Sequence, residues 1–515
     1  MIPHALLILV AAPFVAALIL LAVPQRMRLV TRLVSLSAAL ISAGLSVWVA
    51  ASWDMARGGF QFDERYPVVP SLGIEMHLAA NGWSAALLVL TGLIIVGGVL
   101  ASWTQERRDQ EFYMLLLVLV AGVFGVFVCQ DLFILFLFYE IAVLPMYILI
   151  GIWGSQGKVE PRGPFKFVYE FLDVGGREYA AMKLTLMLLV GSAAILVAIL
   201  ALYSEAGGTT FDMIALARHH FDPATQKLYF PMVWLGFGAL AGVFPFHTWS
   251  PDGHAAAPTA VSMLHAGVLM KLGAFGVMRV GMVLMPEGAI AWAPIVGGVA
   301  VINIVYGAFG AMGQKDLKYI VAYSSVSHMG VVMLGAATLT VDGWNGAIFQ
   351  MVAHGVMTGL FFALVGLIYG KTHTRWVPKM GGFGRIMPGI ASFFTLASLS
   401  SLALPGTAGF IAELLVFIGA WQSGHPVWAV AGAAGAFITA VYVLRAVKRI
   451  FWGEGPSEEF AKLGDAKHVE WGALVLLGAA ILVFGFWPAP ILDLIDATST
   501  RLVQALYPLV LAVNP

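Results

Sequence analysis

Six ionisable side chains lie inside stretches that are otherwise lipid-soluble, and they are the residues of this chain best suited to chemistry. Glu140 sits in FLFYEIAVLPMYILIG (136–151), His265 and Lys271 in SMLHAGVLMK (262–271) and His328 in DLKYIVAYSSVSHMG (316–330). His354 lies in QMVAHG (350–355) and Glu413 in LPGTAGFIAE (404–413). A charge at the centre of a bilayer costs several kcal/mol even on lenient scales, so such residues mark ion or proton pathways by default. Burying a carboxylate or an ammonium without a partner is expensive, which makes Glu140, Lys271 and Glu413 the strongest members of the set. For each histidine taken singly, a hydrogen-bonded packing role is the plainer reading. Together, acids and bases alternating across one bundle resemble a proton relay. A buried lysine of lowered proton affinity accepts and releases a proton, a carboxylate sets when it does so, and histidines bridge the gaps through water. No metal-ligand spacing, phosphate loop, dinucleotide fingerprint or nucleophile elbow accompanies them, so the chain shows no redox machinery of its own.

The elements that must position these groups follow from composition. Of 515 residues, 60% are hydrophobic and 11% charged, and the mean hydropathy is +0.89. A soluble domain with that balance would leave large apolar patches in water, whereas runs of 18 or more apolar residues describe a polytopic membrane protein. The net charge is zero, which points to no nucleic-acid partner, and the single cysteine, Cys129, excludes a disulfide framework and multi-cysteine iron–sulfur or zinc sites. The fold expected is all-α, with about fourteen transmembrane helices. The first is read at 3–23 as a span rather than a cleaved signal, and the last at 469–493. Lysines and arginines collect in alternate connections, among them Arg26, Arg107, Lys315, Lys371, Arg375 and Arg449. That asymmetry predicts both termini on the outer side of a bacterial inner membrane.

Two spans read as interrupted. LGFGALAGVFPFHTW (235–249) in the seventh and SLALPGTAGFIAELL (401–415) in the twelfth carry glycines and a proline in mid-span. Broken helices at corresponding places suggest two five-helix units of opposite orientation. The expected division is therefore 1–110 as an N-terminal three-helix segment, 111–285 as the first repeat and 286–452 as the second. Residues 453–515 hold a loop, the last span and the tail. Between spans 5 and 6, the connection 155–180 contains an amphipathic stretch around Phe165, Val168, Tyr169 and Leu172, suited to a membrane interface or a partner helix.

These stretches resemble the antiporter-like subunit M of proton-pumping NADH–quinone oxidoreductase, respiratory complex I, and also the large subunits of Mrp cation/proton antiporters. FYEIAVLPMYILIGIWG (138–154), FPFHTWSPDGHAAAPTAVSMLHAGVLMKLGAFG (244–276) and the three later motifs quoted above carry the resemblance in order along the chain. The resemblance implies two inverted five-helix repeats and a proton route through Glu140, Lys271, His328, His354 and Glu413, with Pro145, Pro245, His247, Lys318 and Pro405 in support. It also implies no cofactor or metal in this chain, with NADH, FMN, iron–sulfur clusters and quinone held by partner subunits. Other membrane subunits of the assembly, including homologous antiporter-like ones, and lipid are the expected partners. The alternative is a subunit of an Mrp-type antiporter or a membrane-bound hydrogenase; a structural spacer with a dead channel is a third reading.

One departure from the family pattern matters. The lysine usually found seven residues before the histidine of P-F-H-x-W is replaced by Leu240, so Glu140 lacks its usual partner. His265 is the expected substitute. Counted along straight helices at about 1.5 Å per residue, Leu240 and His265 rise to similar depths from the same face. His265 is therefore expected to face Glu140 beside Leu240, and Glu140 to be kept ionisable by basic neighbours and water.

Overall fold

The computed structural model describes residues 2–156, 175–453 and 455–513. The amphipathic stretch at 165–172 lies outside them. Among the described residues, twelve helices are long and apolar enough to cross a membrane. They are α1 (Ala5–Ala22), α2 (Arg28–Ser52), α3 (Gly82–Ala101), α4 (Asp109–Val128), α5 (Leu132–Trp153) and α6 (Arg177–Glu205), then α9 (Thr259–Met282), α10 (Pro286–Gly313), α11 (Leu317–Ala337), α12 (Val341–Thr372), α15 (Pro426–Phe451) and α16 (His468–Phe486). Several start on a side-chain oxygen that accepts the first free backbone N–H groups. Asn81 does this for α3, Asp131 for α5, Asp316 for α11 and Thr340 for α12.

The two remaining expected spans are the interrupted ones. The seventh is α7 (Pro223–Ala241), stopped by Gly242 in the left-handed conformation at φ 76, followed by irregular chain and then α8 (Trp249–Ala256). The twelfth is α13 (Pro388–Ser401) and α14 (Ala408–Gln422), separated by a bend in which Gly406 has φ 92. The arithmetic of the breaks is local. A proline at position i gives no N–H to the carbonyl at i−4. Pro405 therefore leaves the carbonyl of Ser401 without a helical donor, and Pro245 does the same to Ala241. Pro145, inside the unbroken α5, likewise frees the carbonyl of Ile141.

α9 lies at the centre of the bundle; its most apolar window is entirely buried, and those of α11 and α12 nearly so. The backbones of α9 and α12 come so close that a Cβ on Gly355 would stand 2.6 Å from the carbonyl oxygen of Gly267. Within α9 the turns at His265–Leu269 and Val277–Met282 are π-helical, which sequence periodicity does not reveal.

Two elements were not expected from the sequence. A hairpin of β1 (Gln61–Val69) and β2 (Ile74–Ala80) covers one end of the bundle, and the span read at 469–493 ends at Phe486, followed by a separate amphipathic helix, α17 (Ala489–Val513). α17 lies across the N-terminal ends of α3 and α12: Thr498 accepts from the Gly82 N–H at 2.9 Å, and Asn345 donates to Asp496 at 2.6 Å.

The hairpin is held by charge. His77 is fully buried, with Nδ1 3.2 Å from Asp212 and Nε2 3.0 Å from Asp63, while Arg65 donates to Asp212 at 3.0 Å. Burial works against a charged His77, but the hydrogen bond and charge of Asp212, reinforced by Asp63, outweigh it and raise the imidazole above its ordinary value. Burial likewise works against ionised Asp212; His77, the Ile214 N–H and Arg65 outweigh it and hold that carboxyl low. The contribution of His77 is complete below the ordinary histidine value and is lost as pH rises through the raised one. That of Asp212 is complete above the ordinary carboxyl value and is lost as pH falls through the lowered one. Docking of the hairpin is thus strongest between these limits. Protection of the amides of residues 61–80, corrected for the intrinsic rise of exchange with pH, should fall above the upper limit, and His77→Ala should loosen the hairpin at neutral pH by roughly 1–3 kcal/mol. Corrected protection that is flat from mildly acid to alkaline pH would refute this account.

Candidate functional site

Four helices bring four of the six ionisable groups into one line. Lys271, on α9, is fully buried, and its Nζ lies 2.6 Å from Nδ1 of His354 on α12. The same ammonium donates to the carbonyl of Ala266, in the π-helical turn just before it. An acceptor at Nδ1 leaves His354 with its proton on Nε2, which has no protein partner. The ring of His354 stands 5.2 Å from that of His328 on α11, nearly parallel at 21°.

His328 is held between two carbonyls: Nδ1 lies 2.8 Å from that of Ser324, and Nε2 lies 3.0 Å from that of Ser401. The second is the carbonyl that Pro405 deprives of a helical donor, so the break in the twelfth span builds this contact directly. Carbonyls only accept, and a neutral imidazole has one N–H to offer; a second proton satisfies both. Glu413, on α14 just past the same break, places Oε1 3.8 Å from Nε2 and supplies the counter-charge for that second proton. The line Lys271–His354–His328–Glu413 runs from the centre of the bundle into the broken helix, through residues no more than 5% exposed.

The other expected residues fall elsewhere. Glu140 is half-buried as a residue and lies beside Ser192 of α6, and its Oε1 is buried without a hydrogen-bond partner among the described residues. Among the described residues it forms no ion pair, so the basic neighbours expected for it are not there. It shares a face of α5 with Leu137, Leu144 and Tyr147, which are 41%, 54% and 49% exposed. The structure thus sets Glu140 on an outward strip of the chain, away from the buried line.

His265 does not stand in for the missing lysine in the way the depth count implied. Its ring stacks on His254 at 4.0 Å and on Trp249 at 4.9 Å, both from α8. The level of Leu240 on α9 is instead that of Met270 and Gly273. A Cβ on Gly273 would meet the backbone of Phe237 and Ala241, and one on Gly242 would meet the Met270 side chain. The count failed because α7 does not run straight to Ser250; the chain leaves the helix at Gly242.

His247 is buried between Tyr306 at 5.0 Å and Phe244 at 5.7 Å, with neither ring nitrogen bonded. Lys318, at the start of α11, donates to the Ala257 carbonyl at 2.5 Å. Sequence reasoning missed Asn303 of α10, which stitches the first break: its Oδ1 accepts from the Phe244 N–H at 2.8 Å, and its Nδ2 donates to the carbonyls of Gly242 and Val326 at 3.3 and 2.8 Å. A lone asparagine in an apolar span opposite a proline break was the available signal. Sequence reasoning also missed His254.

Comparison with known proteins gives the family of the whole chain. The profile of the family described as NADH:quinone oxidoreductase/Mrp antiporter, TM, matches residues 129–439. The chain is 36% identical over 507 residues to NAD(P)H-quinone oxidoreductase chain 4 2 of Thermosynechococcus vestitus, covering 97% of this chain and 92% of the relative. It is 37% identical over 505 residues to chain 4 1 of Nostoc sp., covering 96% and 90%. Among solved structures it superposes on a chain of respiratory complex I from Thermus thermophilus with a TM-score of 0.85 at 28% identity, covering 97% of this chain and 99% of that one. It shares its fold with a chain of the Mrp complex from Dietzia sp., with a TM-score of 0.84 at 20% identity and coverage of 98% and 99%. The chain therefore belongs to the NADH:quinone oxidoreductase/Mrp antiporter membrane family, with chain 4 of the NAD(P)H-quinone oxidoreductases among its relatives.

Proposed function

We propose that this chain is a proton-translocating membrane subunit of a complex I-type enzyme, moving protons along a buried relay driven by redox chemistry in other subunits. The observation that carries this is the line Lys271–His354–His328–Glu413, in which a lysine with a neutral acceptor at 2.6 Å leads to a histidine–carboxylate pair in a helix break. NADH, FMN, iron–sulfur clusters and quinone belong to partner subunits in this reading. The face carrying Lys315, Arg375 and Arg449 is cytoplasmic, and the hairpin, both termini and α17 lie outside. Residues 111–285 and 286–452 are the two inverted repeats.

The outward strip of α5 supports the membrane partners. Leu137, Leu144 and Tyr147 leave this strip exposed beside a carboxylate whose Oε1 is buried and unbonded, and Leu240 removes its usual cation, so a neighbouring membrane subunit covers the strip and seals Glu140 from lipid. Purification through a tag on this chain, with Leu144→Cys as a cross-linking probe, tests the whole reading. Quinone-reductase subunits should co-purify, one membrane subunit should cross-link at position 144, and reconstituted vesicles should pump protons when given NADH. Recovery of cation-antiporter subunits without NADH oxidation would overturn this reading in favour of the Mrp-type alternative.

A further inference from the structure

At the basic face the bundle holds a cavity of about 540 Å³, lined by Asp252, Ala255, Ala256, Asp316, Tyr319 and Arg375 among others. Its polar wall is organised. Lys183 pairs with Asp252 at 2.7 Å, the Tyr319 hydroxyl donates to Asp252 at 2.9 Å, and Arg375 pairs with Asp316 at 3.2 Å while donating to the Ala255 carbonyl. The wall residues Ala255 and Ala256 stand in the chain between His254 and Ala257, the residue whose carbonyl accepts from Lys318.

Behind that wall lies something the relay does not explain. His254 and His265 are 0% and 1% exposed, their rings stack at 4.0 Å and 22°, and among the described residues none of their four ring nitrogens has a hydrogen-bond partner. Phe362 covers the far side of His254 at 4.8 Å. Buried polar atoms are almost always bonded, to protein or to ordered water, because an orphan forfeits its hydration without replacement. Two imidazoles orphaned side by side are a poor packing solution where two phenyl rings would fit. They are a good solution for passing protons, since imidazole gains and loses a proton near neutral pH and does so at either nitrogen. His265 is followed directly by Ala266, whose carbonyl holds the Lys271 ammonium.

We propose that the cavity is the mouth of the proton route, and that Lys318 and the stacked pair His254–His265 carry protons from it to Lys271. The proposal rests on the relay reading above and gives it an entrance. In the first step a hydrated proton in the cavity loses an O–H bond as an N–H bond forms on Lys318, leaving neutral water. In the later steps one N–H bond breaks as another forms, Lys318 protonating the pair through water and the pair protonating Lys271 after that lysine has delivered its proton to His354. No oxidant or other co-reactant is needed. His265 thus keeps a place in the route, as a step before Lys271 in series and not as a partner of Glu140.

The test uses the assembled complex in proteoliposomes. His254→Phe preserves the ring stack between His265 and Phe362 but removes both nitrogens, so assembly and electron transfer to an artificial acceptor should be unchanged. Proton pumping and coupled quinone reduction should fall at least about tenfold, within the range that positioned acid–base groups supply. Separately, Gln314→Cys at the cavity rim should pump normally until a bulky membrane-impermeant maleimide is added on the cavity side, and should then lose pumping. Wild-type pumping by His254→Phe, beside an inactive Lys271→Met control, overturns the entrance and leaves the relay standing. Wild-type pumping by both sinks the relay as well. Should His254→Phe fail to assemble, the labelled Gln314→Cys enzyme decides alone, and unchanged pumping after complete labelling overturns the mouth.

Discussion

Lys271→Met should abolish proton translocation, by at least about 100-fold in NADH-driven acidification of vesicles, with coupled quinone reduction falling alongside it. Methionine matches the lysine stem in length and shape, so α9 keeps its packing in a core where the lysine is fully buried. What disappears is the one group that, among the described residues, is hydrogen-bonded to Nδ1 of His354. Assembly should not suffer, because an uncompensated buried ammonium is a burden to folding and an apolar isostere removes it. Lys271→Arg separates the two roles the lysine can have. A guanidinium keeps the positive charge but cannot release a proton in a protein. If the lysine must let go of its proton to His354, arginine fails as completely as methionine. Normal pumping by Lys271→Arg would make the lysine a fixed counter-charge, and the relay drawn through it would be wrong.

The legibility of this site in the sequence divides along a physical line. Residues were found where their chemistry contradicts their surroundings. Lys271, His328, His354 and Glu413 are conspicuous because no other carboxylate, lysine, arginine or histidine lies within five positions of them in the chain, and they are the four that the fold assembles. The helix breaks were equally visible, since proline and glycine act through local geometry. The fate of the Ser401 carbonyl follows from Pro405 four residues later, without any tertiary information. What the sequence hid depends on where elements meet. His254 reads as one polar residue in a short polar segment; its role comes from lying against His265, across a turn whose course no periodicity reports. The depth comparison of Leu240 with His265 assumed straight helices, and Gly242 removes that assumption for α7. The hairpin was lost because QFDERYPVV and IEMHLAA alternate weakly, and its stability comes from His77 meeting Asp63 and Asp212, the latter 135 residues away. α17 reads as a tail because Asp493, Asp496 and Arg501 interrupt its apolar pattern and its partners, the ends of α3 and α12, are distant in sequence.

Glu413→Gln should stop the route at its other end. The carboxylate of Glu413 is the group that makes a second proton on His328 tolerable, at 3.8 Å in a region that is 5% exposed or less. Glutamine keeps the size and the acceptor oxygen, so α14 and the bend at Pro405 should be unaffected. It can neither take up a proton nor balance an imidazolium. Without a counter-charge, placing a second proton on His328 costs several kcal/mol more, and each 1.4 kcal/mol is a factor of about ten in rate. A loss of pumping of at least about 100-fold is therefore expected, with assembly and electron transfer to an artificial acceptor intact. Glu413→Asp is the informative companion. It restores the charge on a shorter stem and should recover part of the activity, because His328 stays fixed by the carbonyls of Ser324 and Ser401 whether or not the carboxylate reaches it. A merely structural Glu413 would give the opposite order, with glutamine, its closer match in shape, tolerated better than aspartate. Pumping in Glu413→Gln equal to or above that in Glu413→Asp would remove the carboxylate from the route and end the relay at His328.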